Sequence, residues 1–283
     1  MFYRFDTRPS LKRGKIQLAK YEELGRAIEE SVRKACEGKR VGVAFSGGMD
    51  SGLVAAIASK YARSVTCYTC GTDDSFDVAA GKELAEKLGL PWVHCRISEE
   101  SIENDIRELI LATKVSDPFT ISYELQLFTV CREASERIVL TGQGADEFFM
   151  GCAKFVDQTY EEYEALRISS VDRLLNVSIP CEKAIAAHFR QELMYPYLDP
   201  AVLSEVERID PAVLRPKDLD SRKSVLKEIA ADLGYPSIAG RVKKSSQYGS
   251  RTTDVIRALA KEKGLYYNQY IKSICDEVTG PDE

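Results

Sequence analysis

Apolar and polar positions alternate differently in the two halves of the chain. In residues 17–37, Leu18, Leu24, Ile28 and Val32 recur at helical spacing among charges, which predicts an amphipathic helix. The run RVGVAF that follows is short, apolar and partly β-branched, and it ends in glycines, the pattern of a buried strand. Gly52–Tyr61 then reads as a helix. The alternation repeats, with strands at Val65–Cys70, Trp92–Ile97 and Arg137–Thr141. Between them lie helices at Val78–Leu88 (closed by Gly89), Ile102–Ala112 and Glu124–Ala134. Strands and helices in this order predict an α/β fold: a parallel, doubly wound sheet covered on both faces.

Beyond about residue 150 the strand signal fades. Residues 157–175, 181–190, 200–208, 220–233 and 252–263 read as helices, separated by Pro180, Pro196, Pro211, Pro216 and Pro236, and the tail DEVTGPDE is expected to fray. The resulting division is an N-terminal helical segment (1–37), an α/β core (38–150) and a helical C-terminal part (151–283).

Composition narrows the class. Hydrophobic residues are 44% and charged residues 29% of 283, enough apolar material for a large core and too much for disorder. A net charge of −5 leaves no electrostatic footprint for nucleic acid or anionic membrane. No apolar run reaches the roughly 18–20 residues of a membrane span. The start MFYRFDTRPSLKRGK lacks a signal-peptide core, so a cytoplasmic protein is expected. Its eight cysteines then read as reduced thiols. With two histidines in the chain, a Cys/His zinc site or a His-dependent hydrolase is disfavoured.

Chemistry concentrates in two loops that each follow a strand and therefore face one crevice, Ser46–Ser51 and Thr141–Glu147. In Ser46-Gly-Gly-Met-Asp-Ser51 the glycines allow a tight turn with N–H groups pointing outward at a helix N-terminus, an anion nest suited to phosphate. Asp50 would repel a phosphate unless a hard cation such as Mg²⁺ lay between them. A plain Gly-rich turn with a capping residue stays open on these residues alone, and a Walker-type loop is absent. Cys67 and Cys70 are three apart on a strand, so their thiols should point to opposite faces.

SGGMDS resembles the SGGxDS pyrophosphatase (PP) loop of ATP-dependent adenylating enzymes, whose fold is the adenine nucleotide alpha hydrolase-like α/β sheet. Three further segments resemble the asparagine synthetase family in its own order. Thr141-Gly-Gln-Gly-Ala-Asp-Glu147 is similar to its G-E-G-A-D-E. Tyr195-Pro-Tyr-Leu-Asp199 is similar to its R-V-P-F-L-D. Lys223-Ser-Val-Leu-Lys-Glu228 with Arg241-Val-Lys243 is similar to its K-x-x-L-R-E and R-x-K.

The resemblance implies an ATP- and Mg²⁺-dependent carbon–nitrogen ligase. Such an enzyme activates a carboxylate, aspartate by analogy, as an acyl-adenylate and transfers it to ammonia or another amine. It further implies that Asp50 and Asp146 hold Mg²⁺, that Ser46, Gly47, Gly48 and Ser51 cradle pyrophosphate, and that Gly142 and the backbone near Ala44 and Cys70 meet the nucleotide. Lys243, with Lys244 beside it, would neutralise the leaving pyrophosphate, and Lys223 joins the catalytic candidates. Taken alone, Asp146 reads as a helix cap, although its pairing with the other loop favours a metal ligand; without the resemblance Lys243 and Lys244 read as a solvated basic cluster, and Lys223 reads either way.

Two departures stand out. Gln143 replaces the family's Glu, and an amide takes up no proton at neutral pH. Met1 is followed by Phe2, and too little chain precedes Ser46 for a glutaminase domain. A separate glutaminase subunit is therefore an expected partner, and a homodimer an expected assembly. The alternatives are PP-loop sulfur transfer to a tRNA base, using Cys67 or Cys70, and a nucleotide-binding regulator with altered catalysis at Gln143.

Overall fold

A computed structural model describes residues 21–241 and 246–280, the side chains of 246 and 247 apart. The beginning of the first expected helix, with Leu18, lies outside the described residues. The described helix α1 (Glu22–Cys36) buries the stripe Leu24, Ile28 and Val32. Next come β1 (Arg40–Ala44), α2 (Met49–Tyr61), β2 (Ser64–Gly71), α3 (Phe76–Leu88) and β3 (Trp92–Arg96). As expected, Gly89 closes α3 in the left-handed conformation. Then follow α4 (Glu99–Thr113), α5 (Pro118–Glu133), β4 (Ile138–Leu140) and the single turn α6 (Ala145–Phe148). Helix α5 starts six residues before the expected Glu124, because the Asp117 carboxylate accepts the Thr120 N–H at 2.9 Å and Pro118 stands at the first helical position.

The second half is mainly helical. Helix α7 (Tyr160–Arg173) passes through a wider turn at Leu174–Ser178 into α8 (Ile179–His188). A short strand, β5 (Glu192–Met194), interrupts the helices before α9 (Pro200–Glu207), α10 (Pro211–Leu214), α11 (Ser224–Asp232) and α12 (Pro236–Ala239). Helices α13 (Ser246–Gly249), α14 (Thr252–Glu262) and α15 (Tyr267–Thr279) complete it. Two expectations are corrected here. The strand signal does not end at residue 150, since β5 is a fifth strand; with Leu193 its one buried residue, it is too short to show a period. The tail is helical as far as Thr279, because Tyr270, Ile271, Ile274 and Cys275 bury one face of α15.

All five strands are parallel, in the order β3-β2-β1-β4-β5. Val43 on β1 pairs with Cys67 on one side and Leu140 on the other. The winding direction reverses at β1, and the crevice between β1 and β4 is where such sheets bind ligands. On one face Val41, Val43, Cys67 and Leu140 pack under α1, α2 and α11; on the other, Tyr68, Cys95, Val139 and Leu193 pack under α4, α5, α8 and α15. Each fully buried large aliphatic side chain contributes about 1.5–3 kcal/mol relative to exposure. No described helix is long and apolar enough to cross a membrane.

Candidate active site

The loop after β1 turns at Gly47, where φ is +69° and any Cβ would overlap the Ala80 carbonyl and the Gly81 nitrogen of α3. Only glycine fits such a turn. The Ser46 N–H donates to Ser51 Oγ at 3.2 Å, folding the loop over the first turn of α2. Asp50 and Ser51 lie in that turn and are buried. The loop after β4 is fixed by Thr141, whose N–H donates to the Met194 carbonyl at 3.0 Å and whose hydroxyl accepts the Gln143 N–H at 3.2 Å. The two loops touch at Gly142, where a Cβ would stand 3.0 Å from both Asp50 Cβ and Ser51 N.

Lys223 ties the loops together. It stands just before α11 in the left-handed conformation, and its Nζ lies 2.6 Å from Asp50 Oδ2 and 2.6 Å from Asp146 Oδ1. Its stem passes Gly151, where a Cβ would collide with both Lys223 Cε and Asp146 Oδ1. The Asp146 side chain is thus used by Lys223, and Gly144, with φ +91°, occupies the helix-cap position instead. Two oxygens converging on one cationic nitrogen also fit a hard dication, which would complete its six oxygens from phosphate and water. Among the described residues no cluster of three or more His, Cys, Asp or Glu forms a metal cage.

The cleft above these loops encloses about 850 Å³, counting its open mouth. Ala44, Ser46, Asp50 and Ser51 line it from β1 and the following loop, Cys70 from β2, and Gly142, Gln143 and Asp146 from the loop after β4. Gly47 and Gly48 form the turn behind it. A second cavity adjoins through Asp50, Tyr123 and Asp146 and carries Lys154, Arg222, Lys223, Lys227 and Arg241. Lys243 and Lys244 lie outside the described residues.

A match to the asparagine synthase family spans residues 23–192, more than half of the chain. The chain belongs to the asparagine synthase family. It is 29% identical to a Methanocaldococcus jannaschii protein provisionally named a glutamine-hydrolysing asparagine synthetase, over 86% of this chain and 52% of that protein. It is 26% identical to asparagine synthetase B of Escherichia coli, over 85% of this chain and 47% of that one. The chain spans about half the length of the curated relatives it matches. A solved NMN synthetase from Francisella tularensis superposes with a TM-score of 0.43 at 18% identity, over 93% of this chain and 87% of that one.

Three contributions were not assigned from sequence in this asparagine synthase-family chain. Arg241 pins the loop after β1: its Nε donates to the Gly47 carbonyl at 2.6 Å and its guanidinium reaches the Ala80 carbonyl at 3.0 Å. The R-x-K pattern marked this arginine without assigning it an anchoring role. Tyr197, within the YPYLD segment, donates its hydroxyl to the Asp50 carbonyl at 3.1 Å and so holds the start of α2. Glu124 and Glu182 line the cleft although their side chains are buried. Burial raises the carboxyl of Glu124 well above the ordinary range, and raises that of Glu182 to about 8.

The thiols separate as strand alternation demands, Cys67 into one core and Cys70 into the other, and all eight cysteines are free. Burial pushes Cys67 up to about 12 and Cys70 well above its usual value, the opposite of an activated thiolate.

Proposed function

We propose that this chain is an ATP-dependent ligase that adenylates a carboxylic acid, releases pyrophosphate, and passes the acyl group to ammonia or another amine. The observation that carries the reading is Lys223 Nζ, 2.6 Å from one carboxylate of each loop. It brings the anion nest of Ser46–Ser51 and the acidic turn at Asp146 onto one point. Family membership supports an ATP-dependent ligase reaction, and aspartate is the acid the relatives' names suggest.

Attack of a carboxylate on phosphorus concentrates negative charge on an already anionic group, so fixed N–H donors and cations are what the site must supply. Gly47, Gly48 and the start of α2 present backbone N–H groups, with Ser46 and Ser51 hydroxyls beside them. Asp50 and Asp146 would hold Mg²⁺, which neutralises phosphate charge when bound. Lys223 adds a cation beside both carboxylates, and Arg241 keeps the loop in shape. Lys243 and Lys244 are proposed to meet the leaving pyrophosphate. Gln143 lines the cleft as a hydrogen-bonding amide that cannot take the proton leaving the amine.

The buried, high-lying thiols favour amide over sulfur chemistry. Replacing Asp50 or Asp146 with Asn should lower pyrophosphate release by at least about 100-fold, the loss of roughly 2.7 kcal/mol of transition-state stabilisation, with the fold retained by circular dichroism. Near-parental turnover in both variants would remove the site from the reaction.

A further inference from the structure

Helix α5 packs on α8, and from these two helices Glu124 and Glu182 project into the wall of the cleft that holds Gln143 and Asp50. Both are more than nine-tenths buried, at 1% and 3% exposed. Among the described residues Glu124 Oε1 and Glu182 Oε2 have no hydrogen-bond partner, and the Tyr195 hydroxyl lies beside Glu182. A buried carboxyl oxygen without a partner is costly, more so when charged, and a pair of them lining a cleft suits a ligand rich in hydrogen-bond donors.

The groups facing the pair are few. Arg173 acts on Glu124 from α7, and Glu147 repels Glu182 from the turn at α6. Around the pair, the phenol of Tyr195 and the thiols of Cys131 and Cys181 are held protonated by burial. No described cation contacts either carboxyl group directly. A small donor-rich cation meets this need.

We propose that Glu124 and Glu182 form a subsite for a primary ammonium group, which holds the nucleophile of the second half-reaction in the cleft. The assignment rests on the ligase reading above and adds to it the class of nucleophile and the destination of its protons. With the cation bound the pair ionises. The ammonium N–H bond then breaks, its electron pair stays on nitrogen, and the proton passes to Glu182. The nitrogen forms a C–N bond with the acyl carbon, the C–O bond to the adenylate phosphate breaks, and AMP leaves with that electron pair. The second nitrogen proton goes to Glu124. The two carboxylates thus take up the two protons that an ammonium must lose to become an amide, which Gln143 cannot do.

Because burial raises both carboxyls above the ordinary range, ammonium expels protons on binding and binds more tightly as pH rises from 6 to 8. The test is the melting temperature of the full chain in ammonium, methylammonium, potassium and tetramethylammonium chlorides at equal ionic strength and pH 6, 7 and 8. Ammonium should raise Tm by about 3 °C or more at saturating concentration, increasingly with pH. An equal or larger rise with methylammonium identifies an organic amine as the occupant, and a rise confined to ammonium identifies ammonia. Glu124→Gln and Glu182→Gln, isosteric with the neutral carboxyls, should each at least halve the shift and raise the KM for the amine at least tenfold. An equal shift with potassium or tetramethylammonium, or an unchanged shift in both variants, overturns the assignment. If the variants do not fold, calorimetry of ammonium binding to the parent in two buffers decides: proton release supports the subsite and its absence overturns it. None of these shifts requires turnover, so failure of the ligase reading is seen separately, as absent pyrophosphate release.

Discussion

Lys223→Met removes the charge that bridges the loops while keeping the length of the side chain that passes Gly151. The Asp50 side chain is 4% exposed and that of Asp146 is 30% exposed, so the two carboxylates lose unequal amounts. Stranding a buried carboxylate costs about 3–5 kcal/mol. A partly solvated one costs under about 1 kcal/mol, because water replaces its partner. The total should therefore be about 3–5 kcal/mol, most of it from Asp50, and Tm should fall by roughly 10 °C. Adding Asp50→Asn to the variant removes the buried charge that has lost Lys223 and should recover at least half of the loss. Asp146→Asn should recover little. Urea unfolding followed by circular dichroism, on the parent and the three variants, measures all of these terms. A loss below about 1 kcal/mol for Lys223→Met, or equal recovery from the two Asn replacements, would refute the argument from burial.

Gly47→Ala combines a left-handed φ with backbone overlap and should abolish pyrophosphate release. Arg241→Ala, which loosens the same loop from the other side, should lower release by at least about tenfold, or about 1.4 kcal/mol; pyrophosphate assays on both variants check the order. Burial raises the Glu182 carboxyl in the folded protein to about 8, from an ordinary value of 4.5. The folded state therefore holds the extra proton between those values, and stability falls as pH rises through that window, by up to about 1.4 kcal/mol per unit. Glu182→Gln should flatten this fall, so its advantage over the parent in urea should grow from pH 5 to pH 8; a constant difference would show that Glu182 does not titrate there. Cys67→Ser and Cys70→Ser should each keep more than about half of the parental amide-forming rate, since burial raises both thiols and disfavours their thiolates. A selective collapse in either variant with an unchanged Tm would favour sulfur chemistry.

The fold was legible wherever a local pattern was long enough to repeat. The strands β1 to β4 and the helices between them announce themselves by periodicity, Gly89 by its position after a helix, and both cleft loops by glycines directly after strands. β5 was hidden because three residues with one buried side chain carry no period. At the site, Asp50, Asp146 and the glycines could be named because each belongs to a compact motif. The convergence of Lys223 on both carboxylates could not, since it joins Asp50 to a residue 173 positions away through a left-handed turn before α11. Glu124 and Glu182 escaped for a related reason. Each reads as an ordinary polar position on its own helix, and only the packing of α5 on α8 buries them beside one another.

The products of ATP turnover test the central claim most directly. With its acid and amine present, the chain should convert ATP to AMP and pyrophosphate in equal amounts, with the amide formed alongside. Both products should be lost together in Asp50→Asn. Formation of ADP and phosphate instead would place bond cleavage at the wrong phosphorus and contradict adenylation in this cleft.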